Sequence, residues 1–467
     1  MSLAIVAVPY GIGSTLTSAI YGGGQLSLVV GLIVVLILDG AVAVSLAELS
    51  SIFPTSSGAY YWAFRLTEGS DPRIKNTLSF LTGWLWLVGN WTIVLSVNFG
   101  IASLIAATVS IYWENWLAKD WELLLILYGQ CLLTFVICAV GDRLLSYVDI
   151  VAAVWNFITI IVVLVSLSVT AKEGRHSASV ALGNYNSEFS GWGDGFTFFI
   201  GLLPPAYAFC AIGMVTSMSE ECLDPQMEVP RAITLVMPMG GLAALFFILP
   251  ICFTLPPLEQ VLQAPYGQAM PYVLKLVLGS RGGALVVMIA ILFVALFCSI
   301  SITTSASRYT WAFSRDKGIP GHTLWSRIVS GSPLPALVLV TVIEMLLGLI
   351  YLASSSAFTA FVSVGVMSLS AAYLVPIATS LASGRKHVSK ARWTLGPVWG
   401  IIANITAIIW ILFEMVLFSM PTALPVTLET MNYASVVFIG FLALSAVWYA
   451  IWARKYFRGP PDEVNFF

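Results

Sequence analysis

Two stretches put proline, glycine and hydroxyl residues at the centre of segments otherwise apolar enough to enter a bilayer. The first runs Pro9, Tyr10, Gly11, Ile12, Gly13, Ser14, with Thr15 following, and the second is GLLPPAYAFCAIGMVTSMSEE, residues 201–221. Proline and glycine each weaken a helix, so both segments are expected to break. At a break, the free N–H groups that open the next half-helix suit a carboxylate, with the positive end of the helix dipole behind them. The free carbonyls that close the preceding half suit an ammonium. Gly11 and Gly13 would let a ligand approach the backbone, and Ser14 and Thr15 add hydroxyls. A small zwitterion could thus be held largely by main chain.

Other chemistry is sparse. The three histidines, His176, His322 and His387, fall in expected loops, and neither an HExxH motif nor a Ser/His/Asp grouping stands out. The six cysteines lie in or beside apolar stretches without CxxC or metal-ligand spacing, and read as packing residues. Neither enzyme activity nor a metal or cofactor is expected. Three acids do lie deep in apolar segments, Asp39, Glu344 and Glu414, where an ionisable group is costly and marks function by default. For Glu344 and Glu414 interhelical hydrogen bonding is the expected role.

The elements that must position these residues are membrane spans. The chain of 467 residues is 59% hydrophobic and 9% charged, with a mean hydropathy of +0.92, against roughly a quarter charged in soluble domains. A span needs about 20 apolar residues. Such runs occur near 3–22, 27–53, 78–108, 122–141, 148–170, 196–218, 232–255, 283–306, 335–353, 357–382, 397–419 and 431–453, which makes twelve. Alternation then puts sixteen of the 21 Lys and Arg residues on one side, which places both termini in the cytosol. Net charge is −2 and no long basic run points to nucleic acid. Spans 1 and 6 carry the matched interruptions, five helices apart. That register fits two inverted five-helix repeats, residues 1–170 and 196–382, followed by two further helices at 397–453 and a short cytosolic tail, 454–467. The fold expected is an all-α integral membrane protein whose interrupted pair forms a midplane site. The sixteen tryptophans read mainly as interfacial belt residues rather than a cage for a quaternary ammonium.

Three motifs at span ends carry a resemblance: SLAELSSIFPTSSGAYYWAF (45–64), SMSEECLDPQMEVPRAI (217–233) and SRYTWAFSRDKGIP (307–320). Together they resemble the amino acid/polyamine/organocation superfamily, in particular the fungal amino acid/choline transporters that include GABA and choline permeases. The resemblance implies a leucine-transporter-type fold, with spans 1, 2, 6 and 7 rocking against 3, 4, 8 and 9, and proton-coupled uptake. It implies unwound stretches at residues 11–15 and 207–213. The substrate contacts would then be Gly11, Ile12, Gly13, Ser14, Thr15, Tyr207, Ala208, Phe209, Cys210, Ala211 and Ile212. It places Glu48, Glu220 and Glu221 near basic residues such as Arg65, Arg231, Arg308 and Arg315, where ion pairs would latch an inner gate. Asp39, on a rocking helix, is a candidate proton relay, but the family motif does not point to it and a hydrogen-bonded structural acid is the favoured reading. Two departures stand out. The family commonly has glycine, aromatic and aspartate where this chain has Ala211, Ile212 and Gly213. Met1 also stands almost inside span 1, so its first half-helix is short, roughly 12 Å at 1.5 Å per residue, which implies weakened closure over the site.

The function expected is a secondary transporter that imports a small amino acid or related zwitterion such as GABA, coupled to protons, across the plasma or vacuolar membrane. The alternatives are a choline/ethanolamine-type cation permease and a transport-derived nutrient sensor. Its partners are the substrate, protons and membrane lipids.

Overall fold

The computed structural model describes residues 1–67, 69, 71–113, 115–140, 145–171, 174–329, 331–428 and 431–460. Arg143 and Lys172, two of the charges sorted by side above, and residues 461–467 of the expected tail lie outside these. Among the described residues the chain is helical, with one isolated bridge between Val329 and Ser332 in place of any sheet. Among the described residues eleven helical segments are long and apolar enough to cross a membrane.

The first apolar stretch is divided into three short helices, α1 (Ser2–Val6), α2 (Val8–Ser14) and α3 (Leu16–Tyr21). Its main break falls at Ala7, φ 38°, ψ 53°, not across residues 11–15 as expected. The reason is Pro9. It lacks an N–H and its ring would strike the carbonyl four residues back, so a helix arriving from Met1 must stop before it, whereas proline is tolerated in the first turn of a new helix. Ala7 takes the left-handed conformation at a cost of about 1–2 kcal/mol. Gly11, Ile12, Gly13 and Ser14 are therefore helical, and a lesser interruption follows at Thr15, φ −104°, ψ 9°.

α4 (Gln25–Ile52), α5 (Ala59–Leu66), α6 (Pro72–Val109), α7 (Asp120–Val140) and α8 (Leu145–Thr170) follow, and α9 (Ala178–Gly183) lies in the connection to the second broken segment. That segment comprises α10 (Asp194–Ile200), α11 (Leu203–Phe209) and a 3₁₀ helix, Cys210–Glu221. Pro204 and Pro205 in the first turn of α11 enforce the division at residues 201–202. Residues 207–213 are thus not unwound: Tyr207, Ala208 and Phe209 close an α-helix, and Cys210, Ala211 and Ile212 open the 3₁₀ helix. A 3₁₀ run of twelve residues is far beyond the usual three or four.

The rest of the chain forms α12 (Pro225–Thr254), α13 (Leu258–Leu262), α14 (Ala269–Leu278), α15 (Arg281–Arg315), α16 (His322–Trp325), α17 (Leu334–Gly348), α18 (Ile350–Ala353), α19 (Ser355–Ala382), α20 (Pro397–Leu417) and α21 (Ala434–Trp448). The core gathers around α4, α6, α12, α15 and α19, whereas α21 is mostly exposed on the outside. Polar side chains tie these helices together. Glu344 of α17 is buried and accepts from Asn98 Nδ2 of α6 at 2.7 Å, Asn98 Oδ1 accepts from Ser299 Oγ of α15 at 2.6 Å, and Thr134 of α7 reaches Ser299 at 2.9 Å. The interhelical role expected of Glu344 matches this geometry. Asn98→Ala would strip Glu344 of its strongest donor, at about 1–3 kcal/mol; the thermal midpoint of the detergent-solubilised protein is expected to fall, and Asn98→Asp to do no better.

Candidate functional site

The two broken segments meet back to back. A Cβ on Gly11 would lie 3.0 Å from that of Ala208, so glycine at this position sets how closely α2 and α11 approach. Tyr10 and Tyr207 flank the contact. The Tyr10 hydroxyl donates to the Val97 carbonyl at 2.9 Å, and the Tyr207 hydroxyl pairs with Ser96 Oγ at 2.7 Å, so both rings are pinned to one turn of α6.

Two cavities adjoin these tyrosines, which are the only residues the two share. The larger, about 400 Å³, is a vestibule on the side of the 266–268 and 420–432 connections, and Ser14, Thr15, Ser18, Ser96 and Ser103 give it hydroxyls. The smaller, about 20 Å³, has room for one water and is lined by Gly11, Tyr207, Ala208, Cys210 and Ala211 together with Ile5, Val6, Ile93, Val97, Cys298 and Ile302. No charged side chain lines either. Of the expected contacts, Ser14 and Thr15 face the vestibule, although both hydroxyls also donate back to the Gly11 carbonyl, Thr15 at 2.8 Å. Phe209 and Ile212 turn to a separate cavity beside Asp39. Ile12 is fully buried in the core, and Gly13 faces Met270 and Phe247, so neither reaches a cavity.

Backbone groups at both breaks are bonded by side chains from other helices. Tyr373 of α19 donates from its hydroxyl to the Cys210 carbonyl at 3.0 Å and accepts from the Gly213 N–H at 3.2 Å. A Cβ on Gly213 would sit 2.5 Å from the Tyr373 ring. The missing side chain at Gly213 is therefore what admits this tyrosine. At the first break, the Ile5 carbonyl, whose partner four residues on would be Pro9, accepts from the Cys298 thiol at 3.3 Å, while the Leu3 carbonyl keeps its bond from the Ala7 N–H and takes a second from Asn156 at 3.4 Å.

A family model described as amino acid permease matches residues 1–442. The chain belongs to the amino acid permease family. Its relatives include the choline transporter of Saccharomyces cerevisiae, 27% identical over 98% of this chain and 80% of that protein. The amino-acid permease BAT1 of Arabidopsis thaliana is 29% identical over 99% and 92%, and the GABA-specific permease of S. cerevisiae is 28% identical over 95% and 78%. Members of this family are transporters rather than enzymes.

At the basic face of this permease the broken second segment is tied down at its far end. Glu220 accepts from the Ser56 hydroxyl and, at 3.3 Å, from the Ser56 N–H, and lies 3.9 Å from Arg315; Glu221 pairs with Arg308. Asp316 accepts from Tyr60 at 2.6 Å, and Tyr60 packs on Phe313 at 5.0 Å. Burial pushes the Asp316 carboxyl above the usual carboxylate range, against the opposing pull of Arg315. Glu48 is held elsewhere: Arg385 bonds both its oxygens at 2.8 Å, and the Leu395 N–H and Thr394 hydroxyl add bonds at 2.9 and 3.0 Å. Arg231 is exposed on α12 and joins none of the ion pairs among the described residues. Arg65 lies over the Phe53 ring, 5.8 Å from its centroid.

Sequence reading missed Tyr10 as a lining residue although it sits inside the quoted motif. Arg385, Tyr373, Cys298 and Val97 carried no local signal, since they reach the site from distant helices. Breaking the Glu48–Arg385 pair leaves a buried charge, so Arg385→Gln is expected to cost about 3–5 kcal/mol in stability, read as a lower thermal midpoint. Glu221 is half exposed and Glu221→Gln should leave that midpoint nearly unmoved. Ser14→Cys should react with a membrane-impermeant maleimide at least about tenfold faster than Ile12→Cys, because only an accessible thiolate reacts.

Proposed function

We propose that this permease moves a small zwitterion, an amino acid or a relative such as GABA, by alternating access driven by protons. The observation that carries this reading is the neutral lining of both cavities. A net cation such as choline or a polyamine would lose its hydration there with no counter-charge, at a cost of several kcal/mol. A zwitterion brings its own counter-charge and needs only dipoles. The hydroxyls of Ser14, Thr15 and Ser96 and the phenols of Tyr10 and Tyr207 supply them.

The vestibule holds a molecule of amino-acid size and the inner pocket does not, which fits an opening on one face only. The Glu220 and Glu221 contacts at the basic face act as the closed inner gate in this reading, with Ser56, Arg308 and Arg315 as their partners. That face is cytosolic by its excess of Lys and Arg, and the residues 1–170 and 196–382 form the two repeats that exchange positions. Release of the Glu221–Arg308 pair opens the inner side.

Purified full chain in proteoliposomes, offered labelled GABA, leucine, choline and putrescine with and without an inward proton gradient, tests the reading. Saturable accumulation of GABA or leucine, raised by the gradient and not competed by choline, is expected. Accumulation of choline or putrescine without competition from any zwitterion would overturn it.

A further inference from the structure

Beside the second break lies a third cavity, about 10 Å³, that the substrate site does not use. Asp39 of α4 and Glu414 of α20 both line it, and both are buried. Each carboxylate has one oxygen satisfied: Asp39 Oδ1 accepts from Trp410 Nε1 at 2.6 Å, and Glu414 Oε2 accepts from Ser370 Oγ at 3.0 Å. The other oxygens, Asp39 Oδ2 and Glu414 Oε1, are buried with no hydrogen-bond partner. The titratable groups that face the pair are Cys210 from the 3₁₀ helix and Tyr373 from α19, both neutral in their ordinary form. No Lys, Arg or His lines the cavity.

Two carboxylates that share a small, dry space without a cation cannot both stay ionised. A proton on one of them removes a charge and also supplies the O–H donor that the two orphaned oxygens lack. The space is about that of one water, enough for a direct or single-water bridge. We propose that Asp39 and Glu414 form a shared proton-binding site, and that its proton is the one coupled to transport. This rests on the transport reading above for its coupling, though not for its occupancy.

The link to the substrate site is Cys210, the one residue lining both the inner pocket and the acid cavity. Tyr373 holds the Cys210 carbonyl and lines the acid cavity as well. Movement of the 3₁₀ helix thus reshapes both spaces together. In each cycle one proton is taken from water on the vestibule side and given to water on the basic side, and the pair returns to its starting protonation. Trp410 and Glu414, four residues apart on one face of α20, keep both halves of the pair in register with each other.

The test uses the full chain in lipid, compared with Asp39→Asn and Glu414→Gln. Infrared difference spectra between acid and alkaline buffer are expected to show a protonated-carboxyl C=O band in the wild type that either substitution removes. Labelled GABA is then followed in two modes. Counterflow at equal pH should stay within about twofold of wild type, whereas proton-driven accumulation should fall about tenfold or more. Carbodiimide modification of the wild type, mapped by mass spectrometry to Asp39 or Glu414 and suppressed at alkaline pH, supplies the same readout where a variant does not fold. The site is overturned if no such band exists, if the band and the labelling ignore pH, if both variants accumulate GABA as the wild type does, or if sodium alone drives accumulation. If GABA is not carried at all, the transport reading is what has failed, and the infrared and labelling results still decide the proton site.

Discussion

A backbone N–H or carbonyl that loses its helical partner inside a membrane has no water to turn to, and each one left unsatisfied costs several kcal/mol. The two broken segments of this permease meet that constraint differently. At Ala7 the chain turns within one residue, and the Ile5 carbonyl, left without a donor because residue 9 is proline, is taken by Cys298 from another helix. At Cys210 the chain instead tightens into a 3₁₀ helix, and one phenol, Tyr373, bridges the carbonyl and the N–H on either side of the transition. The inner pocket is small because its walls have been satisfied in this way.

The 3₁₀ helix turns a local solution into a long-range one. Twelve residues at about 2.0 Å each span roughly 24 Å, from Cys210 beside the pocket to Glu220 and Glu221 at the basic face. Its two ends are held by different helices, Tyr373 of α19 at one and Arg308 of α15 at the other. A shift at either end is therefore felt at the other, because a packed helix transmits displacement rather than absorbing it. The aromatic packing of Tyr60, Tyr309 and Phe313 stiffens the base on which the Glu220 contacts rest.

The all-α class and the existence of two interruptions were legible from composition and from proline alone, and eleven of the twelve expected spans stand as long apolar helical segments among the described residues, the first being divided into short ones. The position of the first interruption was not. The resemblance drew the expected break to residues 11–15, but proline acts on the residues before it, and the turn falls at Ala7. The glycines serve a different purpose: Gly11 permits contact with Ala208, and Gly213 admits Tyr373. Five of the expected contacts line the inner pocket, yet the rest of its wall comes from α1, α6 and α15, where an isoleucine or valine looks like any other membrane residue. Glu48 was expected among the arginines of the gate and is bound by Arg385 instead. Nothing in the spacing of residues 48 and 385 could reveal that, since only the fold brings them together.

In the proton-coupled cycle proposed above, charge is distributed so that recognition and driving force do not compete. A carboxylate in the pocket would favour cations and penalise the negative end of a zwitterion, and residue 213 of the second segment is glycine. The buried acids stand instead behind Cys210, separated from the pocket by the same helix that closes it. An acid in that position can change its ionisation without altering the hydrogen-bond donors that face the ligand. The neutral lining would then leave selectivity to shape and dipoles, while the buried carboxylates of Asp39 and Glu414 line the acid cavity beside the break. Gly213 is the pivot of this arrangement. It admits Tyr373, whose phenol lines the acid cavity and bonds the carbonyl of Cys210, the residue that lines both spaces.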